Sequence, residues 1–406
     1  MLNNVALPSF SQIICNFASV KRCIFVLLCL MHVLGIASQE VNENVVSYQD
    51  EDSKPAVKLW RPVAWLMDYL LKANRESNKP FDCTVVFGPS YSSTMNFSIS
   101  GGMSGSYSWD RKDPELPRSH VTLFLSAGIS GMMKVGIEGN NYMPRDRQRW
   151  DYELKLEYLP TDFWGLGYLN GVNNANKGRY HQLKFSFRPN YLFRVAPSLY
   201  VGPQLFLQYA HTYMFSDISM IQGQLRDIGS YGGGAVIRYD SRDFALNAYK
   251  GQFLQVQQTC FPRFANKSYF NSTEVTLDSY HRVWKGGILA FDIHAQFQYG
   301  NVPWTMYSLV GRSGRMRGYY EGRYRDRDIV EAQMELRQHV YKRFGAVAWV
   351  GGANVFHDIH EMYWSRTLPN YGVGIRWEFK HRINMRLDFG LTKNKPGFEF
   401  KLNEAF

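Results

Sequence analysis

The sequence predicts an all-β protein: one transmembrane antiparallel β-barrel of about 16 strands, entered through a short N-terminal periplasmic helix. Three observations carry this. From about Phe81 to Phe406 apolar and polar residues alternate with period two, the mark of strands whose two faces meet different surroundings. Aromatic residues make up 16% of the 406 positions in a chain that is otherwise rather polar, and after the first 40 positions no run of about 20 apolar residues exists, so helical spans are excluded. The connections, finally, are mostly tight at one end of the strands and mostly long at the other, as the two rims of a membrane barrel are.

Taken in order, residues 1–38 carry Lys21 and Arg22, then the apolar run from Cys23 to Leu30, then Gly35-Ile36-Ala37-Ser38. A basic start, a short apolar stretch and a small-residue exit read as a secretory signal peptide cut near Ala37 or Ser38. Cys15, Cys23 and Cys29 leave with it, so only Cys83 and Cys260 stay. Two thiols make no disulfide scaffold, and both are expected to be free. Residues 39–80 begin acidic, with Asp50-Glu51-Asp52, and continue with Trp60, Val63, Met67, Leu70 and Leu71 at helical spacing. Pro62 suits the first turn of an amphipathic helix ending near Asn74. At 42 residues this periplasmic segment is too short for an ordinary independent domain.

Residues 81–406 form the predicted barrel. Leu183, Phe185 and Phe187 alternate with Lys184, Ser186 and Arg188; Val330, Ala332, Met334 and Leu336 alternate with Glu331, Gln333, Glu335 and Arg337; Ile383, Met385, Leu387 and Phe389 alternate with Asn384, Arg386 and Asp388. A soluble sandwich also alternates but rarely needs so many strands, and roughly 20 residues per strand and connection fits one closed membrane barrel. Even-to-odd links such as Val195-Ala196-Pro197-Ser198 and Tyr341-Lys342-Arg343 are tight, whereas odd-to-even links such as 160–179, 212–230 and 301–328 are long. The tight rim is therefore read as periplasmic and the protein as integral to a Gram-negative outer membrane. The formal charge of +11 becomes 11 − 2 = +9 without the leader. Because both signs interleave and no basic, aromatic stripe faces water, the excess points to acidic lipid and lipopolysaccharide head groups, not to nucleic acid.

The link from Asn301 to Asp328 contains Arg312-Ser313-Gly314-Arg315-Met316-Arg317-Gly318-Tyr319-Tyr320-Glu321-Gly322. Here the chain resembles the BamA/TamA family of bacterial surface antigen barrels, whose sixth outer loop carries an Arg-Gly-aromatic motif, matched by Arg317-Gly318-Tyr319, and folds back into the lumen. The link falls between the predicted eleventh and twelfth strands, as that loop does. Tyr239-Asp240-Ser241-Arg242-Asp243, ending at Gly251, is similar to the family's turn between its eighth and ninth strands. Phe406 is placed on one apolar face with Phe398, Phe400 and Leu402 and resembles the closing-strand signal of outer-membrane barrels. Two features depart from the family. The periplasmic polypeptide-binding domains have no counterpart in residues 39–80. The thirteenth strand, reading Val350-Gly351-Gly352-Ala353-Asn354-Val355, lacks the Asp that usually holds the loop Arg. A guanidinium in a low-dielectric lumen needs a partner, and inward-facing Glu331 and Glu335 on the next strand are the nearest acids in sequence. Gly318 would allow a close backbone approach and Tyr319 would pack on the inner wall.

No catalytic, metal or cofactor site is expected. His357, His360 and Glu361 belong to an outer loop without a further ligand set, and no nucleophile is marked near the inward pairs Asp292 and His294 or Glu335 and His339. The resemblance implies a barrel that assists insertion or translocation of outer-membrane proteins, with other outer-membrane or periplasmic assembly proteins as partners. The alternative is a passive pore or a structural, surface-antigen subunit of a complex.

Overall fold

A computed structural model describes residues 81–406, except 111, 112, 114, 115, 246, 313, 381, 394, 395 and 403, and leaves out the side chains of 82, 84, 86, 87, 379, 380, 383 and 402. The leader, the 39–80 segment with its helix, and the Leu402 side chain lie outside the described residues.

The period-two segments become strands in the expected order. They are β1 (Phe81–Ser92), β2 (Asn96–Tyr107), β3 (Ser119–Gly128), β4 (Met133–Tyr142), β5 (Gln148–Phe163), β6 (Gly178–Ala196), β7 (Leu199–Tyr213), β8 (Asp227–Asp240), β9 (Gly251–Phe261), β10 (Phe270–Trp284) and β11 (Gly287–Gly300). After a loop holding the two-residue strands β12 (Ser308–Leu309) and β13 (Arg325–Asp326) come β14 (Asp328–Tyr341), β15 (Phe344–Phe356), β16 (Leu368–Lys380), β17 (Ile383–Thr392) and β18 (Gly397–Leu402). Without the small β12–β13 ladder, sixteen strands pair antiparallel into a closed barrel, β14 being the twelfth strand of the wall. Among the described residues no helix is long and apolar enough to cross a membrane.

The wall is inside-out relative to a soluble fold. Leu123, Leu125, Leu183, Leu205, Ile237, Val350 and Ile375 are exposed, while Lys184, Gln204, Asp292, Glu331, Glu335 and Asp388 are buried. Because neighbouring side chains on a strand point to opposite faces, one lipid-facing greasy row forces a polar lumen-facing row. The two larger apolar clusters arise where loops fold inward: Phe163, Tyr180, Phe261, Phe270 and Trp304 in one, and Tyr168, Val310, Met316, Tyr319, Tyr324 and Leu368 in the other. From β5 onward the tight and long links mostly alternate as expected, the exceptions being the β8–β9 link (241–250), expected tight, and the β17–β18 link (393–396), expected long. Earlier they do not, since the β1–β2 and β3–β4 links are short and the β2–β3 link runs over 108–118.

Pairing around the wall is uneven. β5 and β6 match over the full 16 residues of β5, from Gln148↔Phe193 to Phe163↔Gly178. β18 has six residues, and among the described residues its contact with β1 carries one register pair, Tyr91↔Phe400.

Candidate functional site: the inward loop and the barrel seam

The loop of residues 301–327 descends into the lumen, and its Arg-Gly-Tyr motif comes to rest beside the β1–β18 junction. Two glycines make room for it. Gly390 of β17 and Gly397 of β18 are register partners, and the backbone of Arg317 and Gly318 lies directly over them. A Cβ on Gly390 would collide with the Arg317 carbonyl, and one on Gly397 with the Gly318 Cα. Gly318 itself has φ 95°, and a Cβ there would sit 2.9 Å from the Gly390 carbonyl. Only glycine combines that conformation with such an approach. Asn370 Nδ2 of β16 donates to the Arg317 carbonyl at 2.6 Å, while the Asn370 Oδ1 accepts from Trp349 Nε1 at 2.8 Å.

The Arg317 side chain is fully buried. Its Nη2 is 2.6 Å from Glu335 Oε2, its Nη1 is 3.1 Å from Asp388 Oδ2, and its guanidinium lies 3.6 Å from the centre of the Trp349 ring. The two acids are shared with Arg376, whose Nη1 is 2.5 Å from Asp388, and with Arg337, whose Nε is 2.7 Å from Glu335. Arg386 completes the set against Asp388 and Glu399 at 3.0 and 3.5 Å. With Glu404 on Arg376 at 2.7 Å, four arginines (317, 337, 376, 386) meet four carboxylates (335, 388, 399, 404). A buried network of this kind holds together when charges balance. Removing one partner strands another, at a cost of about 3–5 kcal/mol.

The same loop fastens to the other side of the junction. Ser93 Oγ, in the turn after β1, donates to the Gly318 carbonyl at 2.9 Å, and the Glu321 amide donates to Thr94 Oγ1 at 2.8 Å. Tyr319 is buried, donating from its hydroxyl to the Pro369 carbonyl at 2.8 Å and accepting from the Lys393 amide at 3.1 Å. Burial pushes its hydroxyl up to about 12. Glu321 is subject to the same desolvation, but Lys134, 3.7 Å away, and Arg312 outweigh it and hold the carboxyl below its usual range. The loop thus contacts β17, β18 and the β1–β2 turn at once, spanning the place where the wall has one register pair.

Two expectations need correction. Glu331 faces inward but does not meet Arg317. It lies 2.9 Å from His294 Nδ1 and 3.9 Å from Arg315 Nε, because Arg315, two residues earlier in the loop, occupies that level of the lumen. The thirteenth strand of the wall carries no acid for Arg317, as its sequence reads; it contributes the Trp349 ring, and the second acid comes from the fifteenth strand as Asp388. Phe406 does not share the outer face with Phe398 and Phe400. β18 ends at Leu402, and Glu404 is tied to Arg376 and to Asn384 Nδ2, which draws the tail into the lumen. There Phe406 packs on Ala248, Tyr280 and Ala290, and its main-chain oxygen accepts from Arg337 at 2.9 Å. Phe398 and Phe400 lie opposite buried Glu399 as expected, Phe398 packing on Tyr91 with ring centres 5.4 Å apart. Asp388 was visible in the sequence as an inward position of an alternating strand. Trp349, Asn370, Ser93 and Thr94 carried no signal.

The turn after β8 is also ordered by its motif. Asp240 holds Arg242 at 2.9 Å, a Cβ on Gly251 would collide with the Ser241 carbonyl, and Asp243 reaches Arg382 in the β16–β17 turn at 2.9 Å. Cys83 and Cys260 are free and exposed.

A closed, lipid-facing 16-stranded wall whose inward loop grips it through a buried arginine defines a transmembrane barrel of the outer-membrane type. The chain belongs to the Omp85 superfamily, whose domain model matches residues 140–406. Its fold is similar to BamA from Haemophilus ducreyi lacking POTRA domains 1–3, with a TM-score of 0.53 and 11% identity over 78% of this chain and 69% of that one. It is similar to CdiB from Escherichia coli, with a TM-score of 0.55 and 13% identity over 84% and 70%, and to CdiB from Acinetobacter baumannii, with 0.53 and 11% over 80% and 60%. The chain thus covers less than two thirds of the Acinetobacter protein. No curated protein sequence matches it.

Proposed function

We propose that this barrel assists insertion or translocation of outer-membrane proteins in a Gram-negative outer membrane, after cleavage of its leader, and that it acts through the β1–β18 seam. The observation that carries the reading is the mismatch between the 12 residues of β1 and the one register pair it makes with β18. A strand edge with unpaired amides and carbonyls is a template for an incoming strand, and a seam closed by a loop instead of a ladder can part without breaking the rest of the wall. The partners in this reading are acidic lipid, lipopolysaccharide and assembly proteins of the outer membrane or periplasm, and the chemistry is non-enzymatic. The passive-pore alternative is disfavoured by a lumen containing a folded loop and charges of both signs.

The test is a lock on the seam. In a Cys83→Ser, Cys260→Ser background, Tyr91→Cys with Phe400→Cys places two thiols at a register pair, where an antiparallel strand pair brings Cα atoms within disulfide reach. Oxidation is expected to collapse the levels of many unrelated outer-membrane barrels while their transcripts hold, and reduction to restore them. Unchanged barrel levels in the locked protein, or after depleting it, would sink the insertion reading and favour the pore or structural subunit.

A further inference from the structure

The inward loop is rich in arginine, and nearly every one of these side chains is committed. Arg315 pairs with Asp292 at 2.7 Å, Arg317 with Glu335 and Asp388, Arg323 with Asn174 at 2.7 Å, Arg325 with the Gly322 carbonyl and Tyr180 hydroxyl at 3.0 and 3.2 Å, and Arg327 with Asp358 at 3.5 Å. Arg312 differs: among the described residues its side chain has no hydrogen bond and no ion pair. It lines a lumen cavity of about 360 Å³, and two further cations line the β6 side of the same cavity. Lys184 is 8% exposed and likewise has neither kind of partner. Arg188 stacks on Phe206, with its guanidinium 4.3 Å from the ring centre, meets no carboxylate, and has a buried Nε without a hydrogen-bond acceptor. The three lie within electrostatic reach of one another and repel.

The nearby carboxylates attract these cations without pairing with them: Glu321, the foremost of them at Arg312, lies 3.7 Å from Lys134. Glu153 is bound to Lys155, Glu157 lies 3.5 Å from Lys134, and Glu274 and Glu331 flank His294 at 3.1 and 2.9 Å. Glu138, which also lines the cavity, is exposed and neighbours Lys155. Two guanidinium forks and an ammonium turned into one enclosed space, with the neighbouring acids spent on other cations, suit a multidentate oxyanion.

We infer that Lys184, Arg188 and Arg312 form a binding site for a small, soluble phosphate-bearing anion, which ties the inward loop to the β6 wall on the side away from the Arg317 clasp. A free anion fits better than a lipid head group. The cavity lies inside the wall, and a lipid entering it would leave its acyl chains in a polar lumen.

The site is tested on the purified full chain in detergent, with inorganic pyrophosphate as the probe at constant ionic strength. Calorimetric titration is expected to show saturable binding, and thermal unfolding a rise that saturates with it. Lys184→Gln with Arg188→Gln, and separately Arg312→Gln, are expected to weaken binding at least about ten-fold, while Lys342→Gln in the β14–β15 turn leaves it unchanged. Because Arg312 lies on a loop, its variant carries the test if the strand double variant does not fold. An equal thermal shift with chloride at matched ionic strength, or undiminished binding in Arg312→Gln, would overturn the site. Protection by phosphatidylglycerol vesicles but not by pyrophosphate would overturn the soluble-ligand assignment. Neither result bears on the seam.

Discussion

The β5–β7 wall and the β1–β18 seam solve one problem in two ways. In the first, strands of 16, 19 and 15 residues pair along most of their length, β5 with β6 without a break and β6 with β7 with breaks beside Pro189 and Pro203, and side chains such as Gln182, whose Nε2 donates to Thr212 Oγ1 at 3.0 Å, add to the ladder. In the second, a six-residue strand meets a twelve-residue one at a single register pair, and a loop from another part of the chain supplies what the ladder does not. A ladder is cooperative and opens along its length, whereas the seam rests on a buried charge network and a few hydrogen bonds at one level. The β1–β18 junction is thus the most thinly paired stretch of the wall among the described residues, and the inward loop fastens to both of its sides.

The sharpest way to break this arrangement is Arg317→Glu. It places a third carboxylate beside Glu335 and Asp388 and removes the cation that the two share, leaving Glu335 to Arg337 and Asp388 to Arg376 and Arg386, so a loss of about 3–5 kcal/mol is expected. This would be read as lower outer-membrane levels and loss of heat resistance on gels. Normal levels and normal heat resistance would mean that the loop does not hold the seam. Gly390→Val comes next. Its side chain would meet the Arg317 carbonyl, and lifting the loop from the wall is expected to cost about 1–3 kcal/mol. Faster protease cleavage within 311–322 would report it, and an unchanged digest would refute the close approach.

Smaller effects separate the two regions. Ser93→Ala with Thr94→Val removes two hydrogen bonds to the loop, about 1 kcal/mol each, and is expected to speed disulfide exchange in the Tyr91→Cys, Phe400→Cys pair. Thr212→Val removes a comparable bond from the β6–β7 ladder and is expected to cost no more than about 1 kcal/mol, without changing that exchange rate. If both act alike on the seam cysteines, the clasp has no special hold on β1.

Legibility follows the range of the interactions. Strand number, most of the tight and long links from β5 onward and the inward row of charges could be read directly, because each follows from the local alternation of residues along the strands. The motif Arg317-Gly318-Tyr319 was legible by resemblance, and Glu335 by its place on the following strand. Asp388 was readable as inward but not as the partner, since its distance in sequence from Arg317 says nothing of its distance across a lumen. Phe406 was misplaced because alternation was extended past Leu402, where the strand stops and the Glu404–Arg376 pair takes over.

By itself, then, the sequence determined which way its alternating strands face, because period-two patterning is a local covalent property and a one-residue slip would put charges into lipid. It also determined that a buried arginine in the loop would need acids, since desolvation leaves it no alternative. Only the tertiary structure decided which acids those are, where the wall is thin and which cations are left facing the cavity. Each of those depends on how the barrel closes, where strands far apart in sequence are brought level by the stagger of the ladder and by the fold of one loop.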